Sequence, residues 1–471
     1  MRRIPDPSPS DQVLTVAQMR AAEQASIDAG SSVDALMQLA GRGAADWVWR
    51  VAAHHKVTVL CGPGNNGGDG YVIAEALRER GGSVTVVAVA DPATEAARKA
   101  AASYGGQVLP PEADAHGDVL VDCLFGSGLK RPLHDEYLVL LRRLSAAHRQ
   151  RIAIDLPSGI EGDTGRALNQ GLPSYDFTLA LGAWKPAHFL MPGLSLLGDR
   201  RLVDIGVGPV ADAAYRIARP RFSAPAVDAH KYRRGLLAVV GGAMPGAAVL
   251  AARAAQHAGA GYVKLFADQG SQSPADLVVD TGRLSRVLTD HRNTAILVGP
   301  GLGRDPIARE RLATAMADPV PAVLDADALH LMGERLLAER LAPTIATPHE
   351  GELAAVEAIF GLEGGGSKAD RAQALAERSG MVVVAKGPDT VVAAPDGRFG
   401  FADPATSWLS TAGTGDVLAG VIASRVASGA EPFAAACEGV WLHGEAARLS
   451  GPAFGAGDLV KAIPLALASC L

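Results

Sequence analysis

From Val57 onward, short β-branched and apolar runs alternate with helical stretches, and this alternation confines the chain to a layered α/β architecture. The first series of runs is Val57–Cys61, Ser83–Ala90, Asp118–Asp122, Arg151–Leu156, Asp176–Leu181 and Arg201–Ile205. Such near-continuous apolar runs fit parallel strands covered on both faces. Ahead of them, Thr15–Ala29 and Val33–Ala53 read as two opening helices, with Thr15 and Ser32 as candidate N-caps and Gly30 as a stop. After Gly206 the pattern becomes irregular around Pro209, Pro220 and Pro225. A second series follows at Leu236–Val240, Tyr262–Phe266, Ala295–Val298, Ala322–Leu324, Thr344–Thr347 and Met381–Ala385. Asp396-Gly397 then marks a hairpin turn between Thr390–Ala394 and Arg398–Ala402, and the rest is mostly helical. The expectation is two α/β domains of three αβα layers, residues 1–207 and 223–471, with a linker at 208–222. The halves differ in sequence, so they read as a fusion rather than a duplication.

Composition narrows the function classes. A net charge of -6 gives no electrostatic case for nucleic acid or a membrane surface. No run approaches the roughly 20 apolar residues of a membrane helix, and no apolar segment follows the first arginines as in a secretory signal. Cys61, Cys123, Cys437 and Cys470 lack C-x-x-C spacing, which argues against a disulfide framework or zinc site. The expected compartment is the cytoplasm.

The strand at Val57–Cys61 runs into Gly62-Pro63-Gly64-Asn65-Asn66-Gly67-Gly68-Asp69-Gly70, with a helix expected from about Tyr71. Strand, glycine loop and helix form an anion-binding context. The loop is neither the dinucleotide G-x-G-x-x-G nor a Walker A. Its asparagines and aspartate are hard oxygen donors suited to alkali or alkaline-earth cations. Asp122 leads into a second glycine loop, Gly126-Ser127-Gly128-Leu129-Lys130-Arg131-Pro132. Asp155 leads into Pro157-Ser158-Gly159, and the run ending at Gly182 leads to Lys185. In open parallel sheets ligands bind at the carboxyl ends of strands, where all four features fall. This set resembles the NAD(P)H-hydrate epimerase domain over most of Thr15 to Gly206. The resemblance implies a Rossmann-like domain in which Asn65, Asn66, Gly67, Gly68 and Asp69, together with Asp155, bind the hydrate of NADH or NADPH. It implies that Gly126 to Pro132 close over the dinucleotide, and that Asn66, Asp122 and Ser158 hold a potassium ion. Swapping the C6 hydroxyl requires a proton donor and acceptor, for which Asp155 and Lys185 are the candidates.

In the C-terminal half, Thr411-Ala412-Gly413-Thr414-Gly415-Asp416-Val417-Leu418-Ala419-Gly420 opens a long apolar helix. Glycines there admit close approach of an anion to the helix N-terminus. The stretch resembles the ribokinase-like superfamily, in which this aspartate activates the phosphoryl-accepting hydroxyl. With Leu236 to Gly242, Gly299 to Gly303, Asp325 to Leu329, Thr347 to Glu352 and Lys386 to Thr390, the half resembles the ADP-dependent NAD(P)H-hydrate dehydratases. The resemblance implies that Asp416 is the catalytic base, that Ala247, Gly303 and His349 line the hydrate pocket, and that Gly415 with Lys386, Gly387, Pro388, Asp389 and Thr390 surrounds ADP, with magnesium as the divalent ion. It also implies a homo-oligomer. Glu350 stands where the family more usually has proline, and Ser407-Trp408-Leu409-Ser410 where it has small residues. The competing reading is a ribokinase-like vitamin or pyrimidine kinase with a non-catalytic dinucleotide- or protein-binding N-terminal domain.

Overall fold

The structure is a computed structural model that describes residues 8–268, 274–338 and 340–471. The chain through Tyr215 forms one compact unit and Arg216–Leu471 the other.

In the first unit, β1 (Gln12–Val13) precedes α1 (Val16–Asp28) and α2 (Val33–Ala52). Thr15 caps α1 in a reciprocal capping box with Gln18, and Ser32 caps α2 through the Ala35 N–H. Then come β2 (Val57–Cys61), α3 (Asn65–Glu79), β3 (Val84–Ala88), α4 (Glu95–Ser103), β4 (Gln107–Leu109), β5 (Gly117–Cys123), α5 (Asp135–Ala147), β6 (His148–Ile154), β7 (Phe177–Leu181), β8 (Asp199–Val203) and β9 (Ala214–Arg216). β9 pairs with β1 antiparallel. The main sheet has the order β4-β3-β2-β5-β6-β7-β8, parallel throughout. Alternate side chains divide between two cores. Val57, Val59 and Cys61 pack with α2 and α3, whereas Leu60 and Leu120 pack with Leu138, Leu141 and Leu144 of α5. Three layers follow from that alternation. The strand order reverses between β2 and β5, which opens a crevice at their carboxyl ends.

In the second unit, the elements are β10 (Leu236–Val240), α6 (Pro245–His257), β11 (Tyr262–Phe266), β12 (Val278–Asp280), α7 (Leu284–Leu288), β13 (Asn293–Val298), α8 (Pro306–Met316), β14 (Ala322–Leu324), α9 (Asp327–Leu331), α10 (Glu334–Ala338), β15 (Thr344–Ala346), α11 (Glu350–Ile359), α12 (Lys368–Ser379), β16 (Val382–Ala385), β17 (Val391–Ala393), β18 (Phe399–Phe401), α13 (Thr414–Ala427), α14 (Pro432–Ser450) and α15 (Ala456–Ala468). The order β12-β11-β10-β13-β14-β15-β16 is parallel, and β16-β17-β18 continue it antiparallel. The β17–β18 hairpin turns at Asp396-Gly397 as expected, with Gly397 at φ 90°. The reversal here lies between β10 and β13. The short strands β4 and β12 escape the sequence pattern, being three residues long and largely unburied. No helix among the described residues is long and apolar enough to cross a membrane.

Candidate active sites

The first glycine stretch corrects one expectation. The helix begins at Asn65, not near Tyr71, so Asn66-Gly67-Gly68-Asp69-Gly70 form its first turns. Close packing explains it. A Cβ on Gly67 would lie 1.8 Å from the Gly62 carbonyl oxygen, and one on Gly70 would lie 2.8 Å from Cys61 Sγ and from Cys123 Cβ. These glycines let α3 press against the ends of β2 and β5. Gly64 caps the helix without any side-chain hydrogen bond, which leaves first-turn N–H groups for a ligand anion.

Two further strand ends converge on that turn. Asp155 follows β6 with φ 64°, left-handed although it is not glycine. Its Oδ2 accepts from the Ser127 N–H at 2.9 Å, docking the second glycine loop onto it. A Cβ on Gly126 would sit 3.0 Å from Asp155 Oδ2 and 3.2 Å from Asn66 Oδ1, so these three residues share one small space. Lys185, 1% exposed, donates to Asp155 Oδ1 at 2.5 Å and to the Leu181 carbonyl at 2.7 Å. Burial pushes the Asp155 pKa up, but the Lys185 ammonium and the Ser127 hydrogen bonds outweigh it and bring it down to about 2. Asp69 goes the other way. Burial and then the charges of Asp155 and Glu23 raise it well above the usual carboxylate range, with Lys185 opposing. The cleft thus pairs an ionised carboxylate with a carboxyl that resists ionising, the arrangement acid–base chemistry needs. Glu23 on α1 faces the same groups and is raised by burial, lowered by Lys185 and raised by Asp155.

Asp122 is wholly buried and takes four hydrogen bonds. Oδ1 accepts from the Leu124 N–H at 3.0 Å and Ser158 Oγ at 2.8 Å, while Oδ2 accepts from the Ser158 N–H at 3.0 Å and Tyr175 Oη at 2.5 Å. Burial raises its pKa, and the Tyr175 hydroxyl is the foremost group opposing this. Asn66 Nδ2 is buried with no hydrogen-bond partner. Turned over, that amide puts its oxygen in the same place, so the donor set Asn66, Asp122 and Ser158 fits an alkali cation. Lys130, Arg131 and Pro132 stand exposed on the loop rather than in this cluster. Asn169 braces the loop's far end, accepting from the Leu133 N–H at 2.8 Å and donating to its carbonyl at 3.1 Å. Tyr175, Asn169 and His188 had no sequence signal of their own. Each acts through contacts that only the fold creates.

In the second unit the residues again gather at carboxyl ends. Asp416 lies in the first turn of α13, which Gly413 caps in a left-handed conformation with no side-chain bond. Burial, then repulsion from Asp325, raises the Asp416 pKa to about 7, with Lys386 opposing and Asp327 and Glu352 adding to the rise. Lys386 Nζ donates to Asp325 Oδ1 at 2.6 Å, and Thr347 Oγ1 donates to the same oxygen at 2.7 Å. A Cβ on Gly415 would meet Lys386 Nζ at 3.4 Å, so the lysine reaches the mouth of the helix. Gly303 donates its N–H to Asp327 Oδ2 at 2.9 Å, and Ala247 lies in the first turn of α6 beside Gly301. His349 caps α11: its Nδ1 accepts from the Gly351 and Glu352 N–H groups while its ring stays mostly exposed. Glu350 forms an ion pair with Arg371. Gly387 to Thr390 close on themselves through the Thr390 hydroxyl, and Asp389 is paired with Lys368. The sequence missed Lys368 as a member of this surround, while Thr347 and Glu352 bound the motif read around His349. Asp325, Asp327 and Glu352 thus surround Asp416 with negative charge.

Comparison with known proteins bears on both units. Residues 237–465 match the NAD(P)H-hydrate dehydratase family, and residues 33–187 match the YjeF-related protein N-terminus family. The bifunctional NAD(P)H-hydrate repair enzyme of Moorella thermoacetica is 33% identical over 472 residues, covering 88% of each chain, and that of Salinibacter ruber is 33% identical over 525 residues, covering 96% of this chain and 95% of its own. The chain belongs to this family. Among solved structures, an ADP/ATP-dependent NAD(P)H-hydrate dehydratase from Bacillus subtilis, co-crystallised with ATP and Mg2+, is 25% identical with a TM-score of 0.46, over 53% of this chain and 95% of that one. As an NAD(P)H-hydrate repair enzyme, the chain carries its two activities on two α/β units, each with a charged cluster at its strand ends.

Proposed function

We propose that Asp155 and Lys185 are the reacting pair of the epimerase and that Asp416 is the base of the dehydratase. The observation that carries the first assignment is the buried Lys185–Asp155 contact at 2.5 Å beside Asp69. If epimerisation breaks the C6–O bond, Lys185 and Asp69 protonate the departing hydroxyl and ionised Asp155 takes a proton from the water that adds to the opposite face. If it opens the ring, the C6–N bond breaks with Lys185 or Asp69 protonating the leaving nitrogen, Asp155 takes the hydroxyl proton as the aldehyde forms, and the nitrogen closes on the other face. Asn65 to Asp69 receive the dinucleotide at the first turn of α3, and Gly126 to Pro132 cover it. Asn66, Asp122 and Ser158 would hold potassium, which would supply positive charge near the dinucleotide.

In the second unit, Asp416 deprotonates the C6 hydroxyl as it takes a phosphoryl group from ADP. The Gly413–Gly415 backbone and Lys386 stabilise the transferred oxygens. The ring-nitrogen lone pair then expels phosphate, and loss of a C5 proton restores the dihydronicotinamide, leaving AMP. Magnesium, when bound, neutralises charge on the transferred group. His349, Ala247 and Gly303 line the hydrate pocket, and Lys386 to Thr390 with Gly415 hold the nucleotide. The functional boundary falls in 208–222.

The test uses acid-generated NADH hydrate, a mixture of both epimers. With ADP, the protein restores the full nicotinamide absorbance. If only one epimer is recovered at the enzymatic rate, the epimerase assignment is wrong, and ATP-dependent phosphorylation of a vitamin alcohol without recovery would replace both assignments with a kinase.

A further inference from the structure

We infer that His188 is the positioning residue of the epimerase site, clipping the backbone of Asp155 to the backbone of Lys185 so that their side chains meet. The inference rests on the reading of that pair as the reacting groups. His188 is fully buried and follows Lys185 in a short helical turn, Pro186–His188. Its Nδ1 accepts the Lys185 N–H at 2.8 Å, and its Nε2 meets the Asp155 carbonyl at 2.8 Å. One tautomer satisfies both contacts, with the proton on Nε2. The opposite tautomer would set the bare Nε2 against a carbonyl oxygen. With Lys185 Nζ on Asp155 Oδ1, the contacts close a ring that runs through both backbones and both reacting side chains.

The clip matters because of the Asp155 backbone. A left-handed conformation is disfavoured for any residue but glycine, so something must hold it. The Asp155 N–H is fixed on the Leu179 carbonyl at 2.8 Å, and His188 fixes the carbonyl. Were the φ of 64° to relax to negative values, Cβ would swing and the carboxylate would leave Lys185. The imidazole is itself held. Trp184 packs edge-on to it, with centroids 5.5 Å apart, and Arg200 donates to the His188 carbonyl at 2.5 Å. Burial, followed by the nearby Lys185 charge, depresses its pKa to about 3, so the ring stays neutral and the clip stays closed across the working pH range.

The test compares His188→Phe, which keeps the ring's bulk without its hydrogen bonds, with His188→Gln, whose amide N–H retains the reach to the Asp155 carbonyl. Both are made in the full-length protein, with dehydratase activity on the same preparation as the control for intact chain. Epimer exchange is followed by chromatographic separation of the two NADH hydrates. Misplacement of reacting groups by about 1 Å costs about a hundredfold. The expected result is that His188→Phe lowers kcat by about that factor with KM changed less than about threefold, that His188→Gln recovers at least about tenfold of it, and that the acid limb of the His188→Phe pH profile moves up. A kcat for His188→Phe within about twofold of wild type, or a His188→Gln no faster than His188→Phe, overturns the inference. If His188→Phe does not fold, His188→Leu takes its place, since its side chain has neither donor nor acceptor, and a kcat and pH profile for it within about twofold of wild type overturns the inference. Asp155→Asn is assayed in parallel. Should it exchange epimers at the wild-type rate, the underlying assignment of the pair is what fails.

Discussion

Burial pushes two aspartates at strand and helix ends the same way, upward, and their neighbours send them in opposite directions. Asp155 has a cation in contact, whereas Asp416 faces three other carboxyls with Lys386 already engaged by one of them. A base held at about 7 is half-ionised at neutral pH, so dehydration is expected to fall by about tenfold per pH unit below it, as initial rates against pH will show. The sign for stability follows from proton uptake. Between the ordinary carboxylate value and about 7 the folded state binds the extra proton, so stability contributed by Asp416 is lost as pH rises through that window. Asp416→Asn is therefore expected to abolish dehydration yet raise the melting temperature above pH 7, by about 2–4 °C for each kcal/mol recovered. Asp155 carries the reverse prediction. Asp155→Asn strands a buried ammonium and should cost about 3–5 kcal/mol, measurable in denaturant, while Asp155→Asn combined with Lys185→Met restores much of the loss. A single Asp155→Asn as stable as wild type would show that the pair does not hold the strand ends together.

At the level of elements, α3 is shaped by what its glycines exclude. Gly67→Ala drives a methyl into the Gly62 carbonyl, so α3 must move off β2, and epimer exchange and stability are expected to fall together. Gly64→Ser separates the two effects. Nothing lies within 4 Å of a Cβ at Gly64, and its extended backbone suits any residue. A serine cap should gain a few tenths of a kcal/mol while occupying the N–H groups that face the dinucleotide, raising KM. Thermal melts and initial rates on the one variant check both halves of that expectation. The same helix shows where sequence reading stops. The glycine and asparagine pattern identified the place and the strand end before it, because those depend on residue type. It placed the helix start late, because glycine is disfavoured in helices unless tertiary packing demands it, and only the neighbouring strands reveal that demand. Thr15, Ser32 and the Asp396-Gly397 turn were legible because capping and turn chemistry are local. Tyr175 on Asp122 was not, since 53 positions separate them and only the β6–β7 connection brings them together.

For the whole molecule, both units reverse strand order once and gather their charged residues at the carboxyl ends of their parallel strands. The pattern of apolar runs made the two sheets legible, since buried parallel strands must be apolar along their length. The site membership of Lys368 was not, because an ion pair from the start of α12 to the loop at Asp389 leaves no periodic trace. Saturating ADP should stabilise the second unit alone: at a hundred times Kd the gain is about 2.7 kcal/mol. Hydrogen exchange is expected to slow across Lys386–Thr390 and the first turn of α13 and to stay unchanged across α3. Slowed exchange in α3 would place a nucleotide in the first unit instead.

The crowding around Gly62, Gly67 and Gly126 has an evolutionary corollary. A Cβ at Gly62 or Gly67 would run into a backbone carbonyl, and one at Gly126 would crowd Asp155 and Asn66. Variation that retunes which dinucleotide enters must therefore accumulate at the exposed Lys130 to Pro132 tip, so a library randomised there would shift the NADH-to-NADPH preference while one randomised in the first turn of α3 would yield mostly dead protein.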